Sequence, residues 1–128
     1  MKGSVLLIDD ARLERKMIEW TLVHEGYEVF CASNGEQGLR LAQEKRPDII
    51  LLDLLLPKLS GTEVLRSLKS DPGTAKTPVI IVSSLPLGST AKLKRTGAAR
   101  FLEKSQVVAD GGGKLLIEAM ESVLHPVV

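Results

Sequence analysis

The stretch PDIILLDLLLP, residues 47–57, decides how the rest of the chain is read. A strand with one face in water alternates apolar and polar residues, whereas DIILL reads without alternation, as a strand covered on both faces in a parallel sheet should. The run is too short to cross a bilayer and carries Asp53 in its middle. A carboxylate inside an apolar run is costly to bury unless it is paired or used. Asp53 therefore marks the end of a strand and a candidate site together.

Outward from this stretch, short apolar runs alternate with helical patterns, the signature of βα units. The strands are expected at Ser4–Ile8, Tyr27–Cys31, Asp48–Leu52, Pro78–Val82 and Arg100–Glu103. Leu13, Met17, Ile18 and Leu22 recur at helical spacing ahead of Gly26, which suits a C-terminal cap. Asn34 with Gln37, and Ser60 with Glu63, match capping boxes that start a second and a third helix. Leu116, Ala119, Met120 and Val123 form the stripe of a last helix. Residues 85–97, LPLGSTAKLKRTG, predict a short fourth helix. Gly111-Gly112-Gly113 predicts a flexible connection, because glycine loses the most entropy on ordering.

Composition excludes several classes. A chain of 128 residues suits a single domain, expected here over 1–128, and its 44% hydrophobic content can build a core. A net charge of +1 gives no general attraction to nucleic acid, and 3% aromatic residues offer no platform for stacking bases. The single cysteine, Cys31, cannot form an internal disulfide, and no secretory h-region opens the chain, which together predict a cytoplasmic location.

In an open parallel sheet the carboxyl ends of the strands share one edge, and ligands bind there. That edge collects Asp9 and Asp10 after the first strand, Asp53 after the third, Ser83 and Ser84 after the fourth and Lys104 after the fifth. Three carboxylates on one edge suit a hard divalent cation such as Mg²⁺, which takes oxygen ligands. Without metal, the like charges should raise one another's pKa, with Lys104 offsetting part of the repulsion. With metal, a phosphoryl group could be held between cation, Lys104 and Ser83, and Asp53 could attack it.

LLIDD, PDIILLDLLLPKLSG (residues 47–61), PVIIVSS (residues 78–84) and GAARFLEK (residues 97–104), in this order and at these spacings, resemble the receiver domain of two-component response regulators. The resemblance implies a doubly wound, five-stranded parallel sheet, the (βα)5 flavodoxin-like or CheY-like fold, with strand order 2-1-3-4-5. It implies Asp53 as phosphoacceptor, supplied by a histidine kinase, a phosphotransfer protein or a small phosphodonor. It further implies Mg²⁺ held by Asp9, Asp10, Asp53 and the Leu55 carbonyl, Lys104 as the phosphate-binding cation, and Ser83 and Phe101 as the switch pair. The protein would act as a signalling switch with its own Mg²⁺-dependent phosphorylation and dephosphorylation. Its downstream protein partner would dock on the face of the fourth helix, fifth strand and last helix, and a phosphorylation-dependent homodimer stays open. No output domain accompanies the receiver in these residues, so any contact with nucleic acid would belong to such a domain.

Three departures qualify the resemblance. Ser105 stands where the family has proline, so a trans Lys104–Ser105 bond should aim Lys104 differently, a cis one costing about 2.5–4 kcal/mol. SQVVADGGGK lengthens the approach to the last helix and predicts a specialised or loosely ordered output face. Leu55 and Leu85 flank the expected path of attacking water and cannot orient it, which predicts slow self-dephosphorylation. The first two departures keep open a pseudo-receiver, a phosphorylation-independent protein-binding scaffold. A haloacid dehalogenase-like phosphatase is set aside, since that family has a second Asp where Leu55 stands.

The remaining residues take plainer readings. Lys58 reads as surface, Trp20 and Phe30 as packing, and Cys31 as a small buried hydrophobe. His24 and His125 show no ligand spacing. Lys92, Lys94, Arg95 and Arg100 form a basic cluster of the kind that is usually a solvated helix face.

Overall fold

A computed structural model describes residues 2–84, 97–109 and 113–126. The elements are β1 (Ser4–Ile8), α1 (Arg12–His24), β2 (Glu28–Ala32), α2 (Gly35–Lys45), β3 (Ile49–Leu52), α3 (Gly61–Ser70), β4 (Val79–Ser83), β5 (Arg100–Glu103), α4 (Lys104–Ala109) and α5 (Lys114–Leu124). All strand pairs are parallel, in the order β2-β1-β3-β4-β5. The chain order reverses between β1 and β3, whose carboxyl ends carry Asp9 and Asp53.

Strand pleating divides the core into two layers. Val5, Leu7, Ile49, Leu51, Ile80 and Val82 face one layer with Ile18, Leu22, Val107, Leu116 and Met120. Leu6, Ile8, Ile50, Leu52, Val79 and Ile81 face the other with Ala42, Val64, Leu65 and Leu68. The unbroken apolar reading of β3 is thus explained, since all of Ile49–Leu52 is fully buried. Three of the five strands have limits that shift by one residue. The Tyr27 N–H bonds to Leu22 O at the end of α1, and Pro78 has no N–H, so β4 begins after it, with its carbonyl accepting from Ile50.

The caps form as the sequence predicts. Asn34 Oδ1 accepts from Gln37 N at 2.8 Å, and Ser60 Oγ accepts from Glu63 N at 3.2 Å. Gly26, at φ 100°, ends α1 in a conformation that L side chains rarely adopt. Gly61 is required for another reason: a Cβ there would strike the Asp53 carbonyl oxygen and, at 2.5 Å, Leu54 Cα. Its own N–H bonds to Leu54 O at 3.0 Å, so α3 starts against the backbone that follows β3.

Five expectations need correction or fall outside what is described. Of the stripe expected to bury α1, Ile18 and Leu22 are buried, but Leu13 is 73% and Met17 43% exposed. They share a second, outward face with Trp20, which is 62% exposed and stacks on His24 at 3.8 Å rather than packing in the core. Of the residues after Lys104, 104–109 are helical, anchored by the buried Val107, where the sequence suggests no helix. The helix expected over 85–97, and with it Leu85, Lys92, Lys94 and Arg95, lies outside the described residues, as do Gly111 and Gly112; Gly97 itself is a turn residue. Among the described residues no helix is long and apolar enough to cross a membrane.

Candidate functional site

Two backbone hydrogen bonds set the floor of the site. Asp9 N–H donates to Ala32 O and Asp53 N–H to Ile8 O, each at 3.0 Å, so the ladder still grips the residues that follow β1 and β3. Asp9 and Asp53 are accordingly 1% and 3% exposed, while Asp10 is exposed. Asp9 Oδ1 accepts from Ala11 N at 2.8 Å, which turns the chain into α1, and Arg15 donates to the Asp9 carbonyl at 2.8 Å. Asp53 Oδ1 accepts from Leu55 N at 3.0 Å.

Lys104, 4% exposed, enters from the end of β5. Its Nζ donates to Asp53 Oδ2 at 2.7 Å and lies 2.9 Å from Asp9 Oδ2 and 3.1 Å from Glu14 Oε2. All described peptide bonds are trans, including Lys104–Ser105, yet the ammonium reaches Asp53. A trans bond does not aim it elsewhere, because the helical start of α4 holds the Lys104 backbone at the strand end.

Charge and burial compete differently at the two partners. Burial pushes the Asp53 carboxyl above its ordinary pKa; the Lys104 hydrogen bond, the Leu55 N–H and the charge of Lys104 pull against it, and repulsion from Asp9 adds the smallest contribution. Mutual repulsion is therefore not what chiefly raises Asp53, contrary to the expectation from sequence. At Lys104 burial works to lower the pKa, and the hydrogen bonds and charges of Asp53 and Asp9 more than reverse it.

Asp9, Asp10 and Asp53 each place a carboxylate oxygen within 4.8 Å of the others. The donors are all oxygen, and the exposed Asp10 leaves one side open to water, a combination that fits a hard cation retaining part of its hydration shell. The adjoining cavity, about 370 Å³, is lined by Asp10, Ala11, Glu14, Asp53, Leu55, Leu56, Pro57, Ser84 and Lys104. Ser83 is fully buried at the end of β4, with Ser84 the residue at the cavity wall. Phe101, half-buried on β5, pairs with Ile81 and packs on the layer under α2 and α3. Leu55, 48% exposed, stands at the cavity's mouth.

Glu14 is the residue that sequence reasoning missed. Its signal was positional: α1 begins directly after Asp9 and Asp10, so a carboxylate in the first turn must share their edge of the sheet. Cys31, read as a small buried hydrophobe, is only partly buried, yet burial is the chief cause that pushes its thiol up to about 12. That leaves little thiolate at neutral pH.

The family model for the response regulator receiver domain matches residues 5–110. The response regulator PleD of Caulobacter vibrioides is 37% identical over 105 residues, covering 81% of this chain but only 23% of PleD. The polar-differentiation response regulator DivK of Brucella anthropi is 35% identical over 105 residues, which cover 81% of this chain and 85% of DivK. The receiver domain of the sensor histidine kinase PA1611 from Pseudomonas aeruginosa PAO1, solved with a magnesium ion in its active-site cleft, superposes with TM-score 0.73 at 25% identity, over 84% of this chain and 92% of that one. Sheet order, acidic edge and these matches agree that the chain belongs to the response regulator receiver domain family.

Proposed function

We propose that this protein is a phosphorylation-controlled signalling module in which Asp53 accepts a phosphoryl group from a phosphohistidine or a small phosphodonor. The observation that carries the reading is the placing of a buried Asp53 against both Lys104 at 2.7 Å and the carboxylates of Asp9 and Asp10 at the wall of an open cavity. A carboxylate oxygen of Asp53 attacks phosphorus, a P–O bond forms, and the bond to the donor's leaving group breaks. Lys104 holds a phosphoryl oxygen. Asp9, Asp10, Asp53 and the Leu55 carbonyl would hold Mg²⁺, which when bound neutralises charge on the transferring group. Ser83 and Phe101 would report the modification to the β5 and α5 side of the molecule, where a protein partner or a second copy docks. We read the whole as a single cytoplasmic receiver. Leu55 has no group to orient water at the cavity's mouth, which favours a long-lived phosphoryl group.

The sequence departures, Ser105 and the glycine run after α4, keep open a second reading, a constitutive binding scaffold on the same fold. Intact mass of wild type and Asp53→Asn after incubation with acetyl phosphate, with and without Mg²⁺, separates the two. A gain of one phosphoryl group that needs both Mg²⁺ and Asp53 is the expected result; an unmodified wild type under all conditions, beryllofluoride binding included, would favour the scaffold.

A further inference from the structure

An ammonium carries three N–H donors and no acceptor. Among the described residues three carboxylates stand within reach of Lys104 Nζ, those of Asp53 at 2.7 Å, Asp9 at 2.9 Å and Glu14 at 3.1 Å. Partners equal donors, so a phosphoryl oxygen arriving at Asp53 can engage Lys104 only by displacing one of them.

The three are not equally held. Until the phosphoryl group is transferred, the carboxylates of Asp9 and Asp53 are 2% and 3% exposed, and stripping either of its cation leaves a buried charge unpaired, which is strongly unfavourable; after transfer the charge of Asp53 resides on the phosphoryl group itself. Glu14 is 40% exposed and the most distant, and it sits on a helix turn that lines the cavity. Water can take over from Lys104 at Glu14 and cannot at the other two. We propose that Glu14 is an exchangeable partner of Lys104, which occupies the ammonium in the unmodified protein and yields it to the phosphoryl group.

This inference rests on Asp53 as the phosphoacceptor. It makes Glu14 a positioning residue with a regulatory effect: its hold on Lys104, and its negative charge at the cavity's mouth, slow modification by free anionic phosphodonors. An exposed ion pair of this kind is weak, so the effect is modest, about two- to fivefold in rate. Being partly exposed, it is also screened by salt.

The test follows Mg²⁺-dependent modification by acetyl phosphate in wild type, Glu14→Gln, Glu14→Asp and Glu44→Gln, at low and high salt. Glu44 is an exposed residue of α2 that controls for net charge alone. Glu14→Gln should be about two- to fivefold faster than wild type at low salt, with the difference shrinking at high salt. Glu14→Asp, a methylene too short to reach Lys104, should also be faster, and Glu44→Gln unchanged. A Glu14→Gln protein no faster than wild type, a Glu14→Asp protein as slow as wild type, or a Glu44→Gln protein that reproduces the gain would each overturn the exchange while leaving the phosphoacceptor reading intact. A wild type that takes no phosphoryl group would bring down both.

Discussion

Asp53 carries two opposed demands, and its titration exposes them. Its carboxyl is raised above the ordinary 3.8, first by burial, so as pH climbs past that value the unfolded chain releases this proton before the native protein does. The native state holds more protons across that window, and the contribution of Asp53 to stability falls as pH rises through it. Below the window the two states are equally protonated and the penalty vanishes. Asp53→Asn does not titrate, so in metal-free buffer its Tm should gain on that of wild type between about pH 4 and the raised pKa, then hold its lead. Thermal melts of both proteins across this range check it; a difference constant with pH would show that burial does not govern this carboxyl. Asp53 was legible in the sequence because a charge inside IILLDLLL is conspicuous. Glu14 was not, since its importance depends on which way the first turn of α1 faces, and spacing alone leaves that open.

Among the elements, the start of α3 is the one most tightly bound to the site. A methyl group at Gly61 would meet the backbone of Asp53 and Leu54, neither of which can rotate away as a flexible side chain could. Gly61→Ala should therefore lose about 1–3 kcal/mol by overpacking. Urea unfolding should show a lower midpoint at unchanged slope, and phosphoryl acceptance should fall with the displaced Asp53; full stability in Gly61→Ala would mean that the loop yields. The strands were readable nearly to the residue, because apolar runs on a doubly covered sheet leave little ambiguity. The two faces of α1 were not: Leu13 and Met17 match the apolar period as well as Ile18 and Leu22 do, and only the packed sheet shows which pair it buries. Helix α4 was masked by the glycines that follow it. The short SQVVA segment gives one anchor, Val107, and a single apolar contact is not a periodicity.

At the scale of the whole molecule, the acidic edge couples ion binding to folding. The oxygen cluster of Asp9, Asp10 and Asp53 is assembled only when β1 and β3 lie side by side, so Mg²⁺ should bind the folded protein and scarcely the unfolded chain. At a hundredfold excess over its Kd the ion should add about 2.7 kcal/mol, a rise of several degrees in Tm for a domain of this size. Differential scanning calorimetry over a range of Mg²⁺ concentrations measures this, and Asp10→Asn should blunt it; equal shifts in both proteins would place the ion elsewhere. A mechanical consequence follows from where α4 starts. Lys104 is at once the residue after β5 and the first residue of α4, so no loop separates the ammonium's backbone from the helix whose Val107 plugs the core beside α1 and α5. A linkage without slack has no place to absorb play: any adjustment of the Lys104 backbone must move α4 as a lever or be resisted by it.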